Sequence, residues 1–228
     1  MKTAYYKLPA DKIYKELSAL TEPYQVMVEG IKLCIHPHVY PSERFRTTTF
    51  VLKNIKERVK NKRICDMGCG PGIVGLYAIA NCATSVVQVD INPFAIKNAN
   101  ENIMLNGFQD KNIKTIQSDC FDEIQGQLFD VVIWNIPYHN DSIQISDPLE
   151  RAFYDPLFAS TGKFLSQLPE FTGTSTEVYI AFSSKGDFLQ LQKLFETSGF
   201  NWKIWKITNE DQEYDNRIYS LKYSGRGH

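Results

Sequence analysis

Between residues 63 and 199 the chain alternates short, β-branched apolar runs with segments whose apolar residues recur every three or four positions. This alternation restricts the fold more than any other feature, because strands separated by helices pair in parallel and need helices on both sheet faces. RICDMG (63–68) reads as a first strand, and Ile73, Leu76 and Ala80 behind it form one helical face. SVVQVDI (85–91) is a second strand, after which Asn92 is placed to cap a helix and Pro93 suits its first position, having no N–H to leave unpaired. Ile96, Ala99 and Ile103 give that helix an apolar face, and Gly107 gives it a left-handed stop. IKTIQSDCF (113–121), FDVVIW (129–134) and TEVYIAFS (176–183) read as the third to fifth strands. A helix capped by Asp187 follows, with Phe188, Leu191 and Phe195 on one face and Gly199 behind it. WKIWKIT (202–208) and IYSLKYS (218–224) are joined only by a loop, so they are expected to be antiparallel neighbours; a parallel pair would need a long crossover. The expected fold is α/β: a Rossmann-like, seven-stranded, mostly parallel sheet with an antiparallel C-terminal hairpin.

Residues 1–62 break this pattern with a short helical stretch, an alternating segment (YQVMVEGIKLCI), a loop (HPHVYPSER) and a helix presenting Leu52, Ile55 and Val59. They are expected to form an N-terminal extension, a cap on the substrate side of a main domain spanning 63–228. Hydrophobic residues at 43% and charged residues at 22% exclude a disordered chain or a coiled coil. A net charge of −1 denies the whole molecule a strong pull toward nucleic acid or an anionic membrane. The N-terminus (MKTAYYKLPADK) has no apolar signal core, and the longest apolar run, IVGLYAIA, is far too short to span a bilayer, so the expectation is a soluble, cytoplasmic protein without membrane contact. The cysteines at 34, 65, 69, 82 and 120 are scattered and expected to be reduced. Cys65 and Cys69 lack a second ligand pair, and His36 and His38 sit in a polar loop, so no metal site is expected.

The first strand-to-helix turn, DMGCGPG (66–72), carries the strongest chemical signal. Gly68, Gly70 and Gly72 permit a tight turn close to a ligand, and the helix behind them offers free N–H groups. A dinucleotide fingerprint would place a third glycine at position 73, where this chain has Ile73, so a nicotinamide-binding or non-catalytic Rossmann protein is the secondary reading. The acidic strand ends suggest a different ligand. Asp66 can serve an ammonium, Asp90 the two hydroxyls of a ribose, and Asp119 the exocyclic amine of an adenine lying beyond that ribose. Ammonium, ribose and adenine together describe S-adenosyl-L-methionine.

The order DMGCGPG, VDINP, QSDC, NIPY resembles that of class I S-adenosylmethionine-dependent methyltransferases over roughly residues 63–224. NANENIMLNG, NIPY and ERAFYDPLFASTGKFL are similar to segments of the small-domain group, which includes the HemK-like glutamine N-methyltransferases and rRNA guanine or adenine N-methyltransferases. HPHVYPSERF resembles that group's proline-containing lead-in to the first helix. The resemblance extends the expected cofactor contacts to Cys69, Ile91, Asn92, Cys120 and Asn135. It also implies that Asn135, Pro137 and Tyr138 are catalytic: the Asn135 side-chain oxygen and a backbone carbonyl at Ile136 accept the two N–H bonds of a planar nitrogen, Pro137 stiffens the turn, and Tyr138 stacks on the acceptor. Ile136 stands where the group's N-P-P-Y/F pattern has its first proline, and FYDP replaces the HemK-type glycine-rich segment. The acidic loop after Tyr138 (Asp141, Asp147, Glu150, Asp155) favours a protein or small-molecule amide or amine as acceptor, whereas the basic stretch KNIKERVKNKR (53–63) keeps a nucleic-acid base as the alternative.

Overall fold

The computed structural model describes residues 10–208 and 214–225; most of the N-terminal stretch read for a signal sequence lies outside them. Helix α1 (Ala10–Ser18) leads to a hairpin of β1 (Tyr24–Val28) and β2 (Ile31–Ile35), then to α2 (Arg46–Val59). Next come β3 (Arg63–Met67), α3 (Ile73–Ala80), β4 (Ser85–Asp90), α4 (Pro93–Leu105), β5 (Ile113–Gln117) and β6 (Phe129–Asn135). The chain continues through α5 (Ala159–Gln167), β7 (Thr172–Ser183), α6 (Phe188–Thr197), β8 (Phe200–Thr208) and β9 (Asn216–Tyr223). Seven strands form one sheet in the order β5-β4-β3-β6-β7-β9-β8. The first five in chain order are parallel, and β9 inserts antiparallel between β7 and β8. This is the expected architecture, and among the described residues no helix is long and apolar enough to cross a membrane.

Two caps act where the residue types suggested. Asn92 accepts the Phe94 amide at 2.9 Å at the start of α4, and Asp187 accepts the Gln190 amide at 2.9 Å at the start of α6. Two expectations shift. Strand β5 stops at Gln117 rather than running on to Phe121, since the Ser118 amide bonds the Asp90 carbonyl and the chain then turns, with Cys120 at φ 54. The buried face of α4 is Ala95, Asn98, Ala99, Asn102 and Ile103, so asparagines rather than Ile96 complete it.

Those asparagines explain how the N-terminal hairpin attaches. Glu29 and Gly30, both at positive φ, make its two-residue turn and so set the register that pairs Val28 with Ile31. The outer edge of β2 lies along α4. Asn106 accepts the Lys32 amide at 3.0 Å and donates to the Lys32 carbonyl at 2.7 Å. Asn102 does the same for Cys34 at 2.8 and 3.0 Å, and Asn98 accepts the His36 amide at 3.2 Å while donating to the Cys34 carbonyl at 2.7 Å. Residues 24–62 thus share a core with the sheet: Leu33, Leu52 and Ile55 pack in one cluster with Ile64, Leu76 and Ile133. Each such fully buried aliphatic side chain contributes about 1.5–3 kcal/mol. On the other sheet face, Phe164, Leu165, Leu191 and Phe195 from α5 and α6 cover Val132 and Ile180. A third cluster joins Ile13 and Leu17 of α1 to Phe45, Leu149 and Phe153, so α1 packs on the loop that follows β6.

Candidate active site

One cavity opens along the carboxyl ends of β3, β4 and β6 and the turn after β5. Asp66, Gly68, Cys69, Gly70, Asp90, Ile91, Asn92, Asp119, Cys120, Asn135, Pro137 and Tyr138 all line it. Gly72 does not. It is the left-handed cap of α3 at φ 90, and a Cβ there would stand 2.7 Å from the Gln88 carboxamide, so its role is to let α3 approach β4. Gly68, at φ 61, is tight for a different reason: a Cβ would lie 2.6 Å from the Trp134 indole nitrogen.

The two acidic strand ends organise the turn as well as facing the cavity. Asp66 is 3% exposed and accepts the Gly75 amide at 2.8 Å, adding negative charge where the first turn of α3 leaves donors free. Burial pushes its carboxyl up to about 7, against the pull of Gly75 and Gln88. Asp90 accepts the Gly70 amide at 2.8 Å with one oxygen and the Asn92 amide at 2.9 Å with the other. Burial raises this carboxyl too, opposed by those same amides. Each oxygen has a second lone pair, so hydroxyl donors from the cavity side can still be accepted. The Cys65 and Cys69 thiols are pushed well up by burial, and Cys120 to about 12 by the same cause, so all three stay neutral around physiological pH.

Asp119 is less open than the sequence suggested. Lys163 of α5 donates to it at 2.8 Å and to Asp122 at 2.6 Å, which holds the turn after β5 in place. Asn92 also lines the cavity with a committed side chain, which caps α4 and donates to the His38 carbonyl at 2.8 Å. Asn135 differs from both. It ends β6 opposite Ala181, and among the described residues nothing engages its carboxamide. The Ile136 amide is tied to the Ala181 carbonyl at 3.2 Å, which fixes the turn that presents Asn135. Tyr138 packs against the His139 ring at 4.4 Å, and burial pushes its phenol up to about 12, so it remains protonated.

Several lining residues carried no signal readable from the sequence: Tyr40, Ser42, Thr48, Trp134 and Arg151. Arg151 belongs to the 139–158 loop, which returns to Tyr138 through a bridge between His139 and Tyr154. Asn102 ties the glycine turn to the hairpin, since its amide donates to the Pro71 carbonyl at 2.9 Å as well as to Cys34. Among the described residues no group of histidine, cysteine and acidic side chains could hold a metal ion.

A seven-stranded sheet in this order, with glycine turn and acidic strand ends around one cleft, defines a Rossmann-like methyltransferase fold. It superposes on the Thermus thermophilus 16S rRNA N2 G1207 methyltransferase, solved with AdoMet and guanosine, with a TM-score of 0.65 at 13% identity over 89% of this chain and 50% of that one. A ribosomal protein L11 methylase from Lactobacillus delbrueckii gives 0.58 at 22% identity, over 83% and 84% of the two chains. The chain belongs to the methyltransferase small domain family, whose model matches residues 30–166. A Methanocaldococcus jannaschii protein, provisionally named a protein N5-glutamine methyltransferase, is 41% identical over 50% of this chain and 54% of its own length. The release factor glutamine methyltransferase of Clostridium botulinum is 30% identical over 50% and 42%. The chain therefore spans about half the length of the curated relatives it matches. S-adenosylmethionine is the cofactor, and the cleft suits it: at Gly70 a Cβ would meet nothing closer than the Tyr40 carbonyl at 3.9 Å, leaving the backbone open to close approach, and the buried Ser42 and Thr48 hydroxyls, without a partner among the described residues, belong to the lining of the same cavity.

Proposed function

We propose that this chain transfers a methyl group to a planar nitrogen, a carboxamide or an aromatic amine, carried by a protein or a small molecule. The observation that supports this most directly is Asn135, an uncommitted carboxamide at the cavity end of β6, with Tyr138 beside it. Such a nitrogen is a poor nucleophile because its lone pair is delocalised. Asn135 accepts one N–H and a backbone carbonyl of the following turn accepts the other, so the nitrogen is held in line and its developing positive charge is favoured. S-adenosylmethionine supplies the electrophilic methyl on its sulfonium. Tyr138 lies over the planar group and limits water, and the methylated nitrogen, now acidic, loses its proton to solvent. Helix α1, Tyr40 and Phe45 pack on Leu149 and Phe153 of the 139–158 loop, and Tyr40, Ser42, Pro148 and Arg151 line the cavity, which supports a substrate-side cap built from these parts of the N-terminal extension and that loop.

A nucleic-acid base is the second acceptor class, favoured by the basic stretch 53–63. Its position counts against it. The amino end of α2 lines the cavity, but the basic residues occupy its later turns, and Arg63 begins β3 at the sheet edge opposite the cleft. Arg63 is also paired with Asp130 at 2.9 Å and Arg58 with Glu177 at 3.3 Å. The test is to incubate the protein with isotopically labelled S-adenosylmethionine and fractionated protein, metabolites and RNA. Label should enter protein or a small amine on nitrogen, and Asn135→Ala should lower turnover by about a hundredfold or more while cofactor affinity stays near native. Nuclease-sensitive label alone, or an Asn135→Ala variant with native turnover, refutes the reading.

A further inference from the structure

We propose that Arg151 binds a carboxylate on the methyl acceptor, so that the substrate of this site is an acid whose negative charge lies within reach of its planar nitrogen. This rests on the planar-nitrogen reading above and narrows the acceptor class which that reading leaves open.

Arg151 is the one cation lining the cavity among the described residues, and there its guanidinium has no hydrogen bond or ion pair. Its own loop is rich in carboxylates, yet none of them takes it. Glu150 accepts the Ser146 amide at 2.6 Å, the Ser146 hydroxyl at 3.0 Å and the Asp147 amide at 3.3 Å. Asp147 accepts the Leu149 amide at 2.7 Å. Asp155 accepts the Ser160 amide at 2.8 Å with one oxygen, and the Thr161 amide and hydroxyl at 2.9 and 2.6 Å with the other. Asp141 is exposed and does not line the cavity. The loop therefore directs most of its negative charge to its own amides and hydroxyls and turns its positive charge to the cleft. The sign that its composition suggests is the reverse of the sign it presents.

The turn that carries Arg151 (Glu150–Ala152) is held at both ends, because Leu149 and Phe153 are buried against Ile13, Leu17 and Phe45. Just beyond it, Tyr154 bridges to His139, and the Asp155 amide donates to the His139 carbonyl at 2.8 Å. His139 follows Tyr138, so the arginine enters the cavity from the side of Asn135, Pro137 and Tyr138. The three lining carboxylates stand elsewhere, Asp66 in β3, Asp90 at the end of β4 and Asp119 beyond β5, where Lys163 already pairs with Asp119. Charge in the cleft is thus divided, with carboxylates along the cofactor's strand ends and a guanidinium at the acceptor's end. A guanidinium is a planar fork that meets a carboxylate through two parallel hydrogen bonds. No second cation lines the cavity among the described residues to share the double charge of a phosphate, which favours a carboxylate.

Calorimetry on the full chain loaded with the demethylated cofactor tests this with 4-aminobenzoate and its methyl ester, probes that share a ring and a planar amine and differ in charge. The wild type should bind the acid about five- to tenfold more tightly, as expected for one charge-assisted pair at a partly solvated site. Arg151→Met keeps the length of the side chain and should bind acid and ester alike, and Arg151→Lys should retain part of the preference. Both variants should bind the demethylated cofactor within about twofold of wild type. With labelled S-adenosylmethionine, Arg151→Met should raise the acceptor KM and leave kcat near native. The labelled product should carry a free carboxylate, in the metabolite fraction for a free acid and in the protein fraction for a neighbouring side chain. An ester bound as tightly as the acid, an acid preference that survives in Arg151→Met, or labelled products without a carboxylate overturns the assignment. So does a cofactor affinity that falls about tenfold in Arg151→Met, which would give the arginine to the cofactor, or 4-aminophenyl phosphate held through Arg151 more tightly than the acid, which would give it to a phosphate. A methyl group found on oxygen or sulfur refutes the planar-nitrogen reading instead, and the calorimetric comparison still decides the role of Arg151.

Discussion

Replacing Asp66 with asparagine should remove a defined share of this protein's pH dependence. In the fold its carboxyl is pushed up to about 7 by burial, whereas in an unfolded chain an aspartic acid titrates near pH 4. Between those values the native state keeps a proton that the unfolded chain has released. Stability therefore falls as pH rises from about 4 to about 7 and changes little beyond. At about 1.4 kcal/mol per pH unit, this one group contributes at most about 4 kcal/mol to that fall. Asp90, also raised by burial, adds to it with the same sign, while the raised Cys65 and Cys69 thiols remain neutral and add nothing. Asparagine keeps the shape and an oxygen for the Gly75 amide, so the stability difference between Asp66→Asn and wild type should grow in the variant's favour from pH 5 to pH 8. Cofactor binding should show the counterpart. An ammonium beside Asp66 favours the carboxylate, so binding below pH 7 expels a proton and wild-type affinity falls by up to about tenfold per pH unit, whereas Asp66→Asn binds more weakly with a flatter profile. Urea unfolding of the ligand-free proteins at four pH values, with calorimetry alongside, measures both. Parallel stability profiles for the two proteins would falsify the assignment of this proton to Asp66.

Two further substitutions examine the cofactor turn. Gly68→Ala places a Cβ 2.6 Å from the Trp134 indole nitrogen at a φ of 61, and backbone strain of about 1–3 kcal/mol is added to that clash. Cofactor affinity should drop more than tenfold by calorimetry, and a variant binding as well as wild type would show that Trp134 yields freely. Asn102→Ala removes the bonds to the Cys34 amide and carbonyl and to the Pro71 carbonyl in one change, and should cost about 2–4 kcal/mol in denaturant unfolding. Because Pro71 belongs to the glycine turn, affinity for S-adenosylmethionine should fall with it; a destabilised variant of native affinity would mean that the hairpin and the turn are independent.

What could be read ahead of the structure was whatever short-range pattern dictates. The βα alternation, the caps at Asn92 and Asp187, and the antiparallel last strands each follow from a few adjacent residues, and the acidic strand ends were located because strand exits carry ligands in open sheets. What escaped depends on partners distant in the chain. Lys163 reaches Asp119 across 44 residues, and Thr47, beside Thr48, reaches Asn216 across 169. Nothing in ASTGKFL or in RTTT announces either contact. The glycine at 72 had the right type and turn but serves packing against Gln88 rather than the cleft. Asn98, Asn102 and Asn106 follow no apolar period, so the periodicity that gave α4 its Ile96, Ala99 and Ile103 face assigns them nothing; only the neighbouring strand gives them a purpose.

That strand and helix are two rulers with different divisions. Four residues of helix advance about 6.0 Å, and two residues of strand advance about 6.7 Å. A row of asparagines spaced by four can therefore match alternate residues of an extended chain only for a short distance before the divisions drift apart. The drift is visible over three rungs. Asn106 and Asn102 each bracket a single residue, Lys32 and Cys34, whereas Asn98 has fallen behind and spans the His36 amide and the Cys34 carbonyl. One more step along α4 comes to Phe94, which is 47% exposed and apolar, and the next alternate residue along the chain, His38, lies past the end of β2 at Ile35 with a left-handed φ of 64. The attachment is thus limited to three rungs by geometry rather than by sequence alone, and it closes the outer edge of β2 to any further strand. Lengthening the hairpin would not lengthen the joint; it would expose a fresh edge.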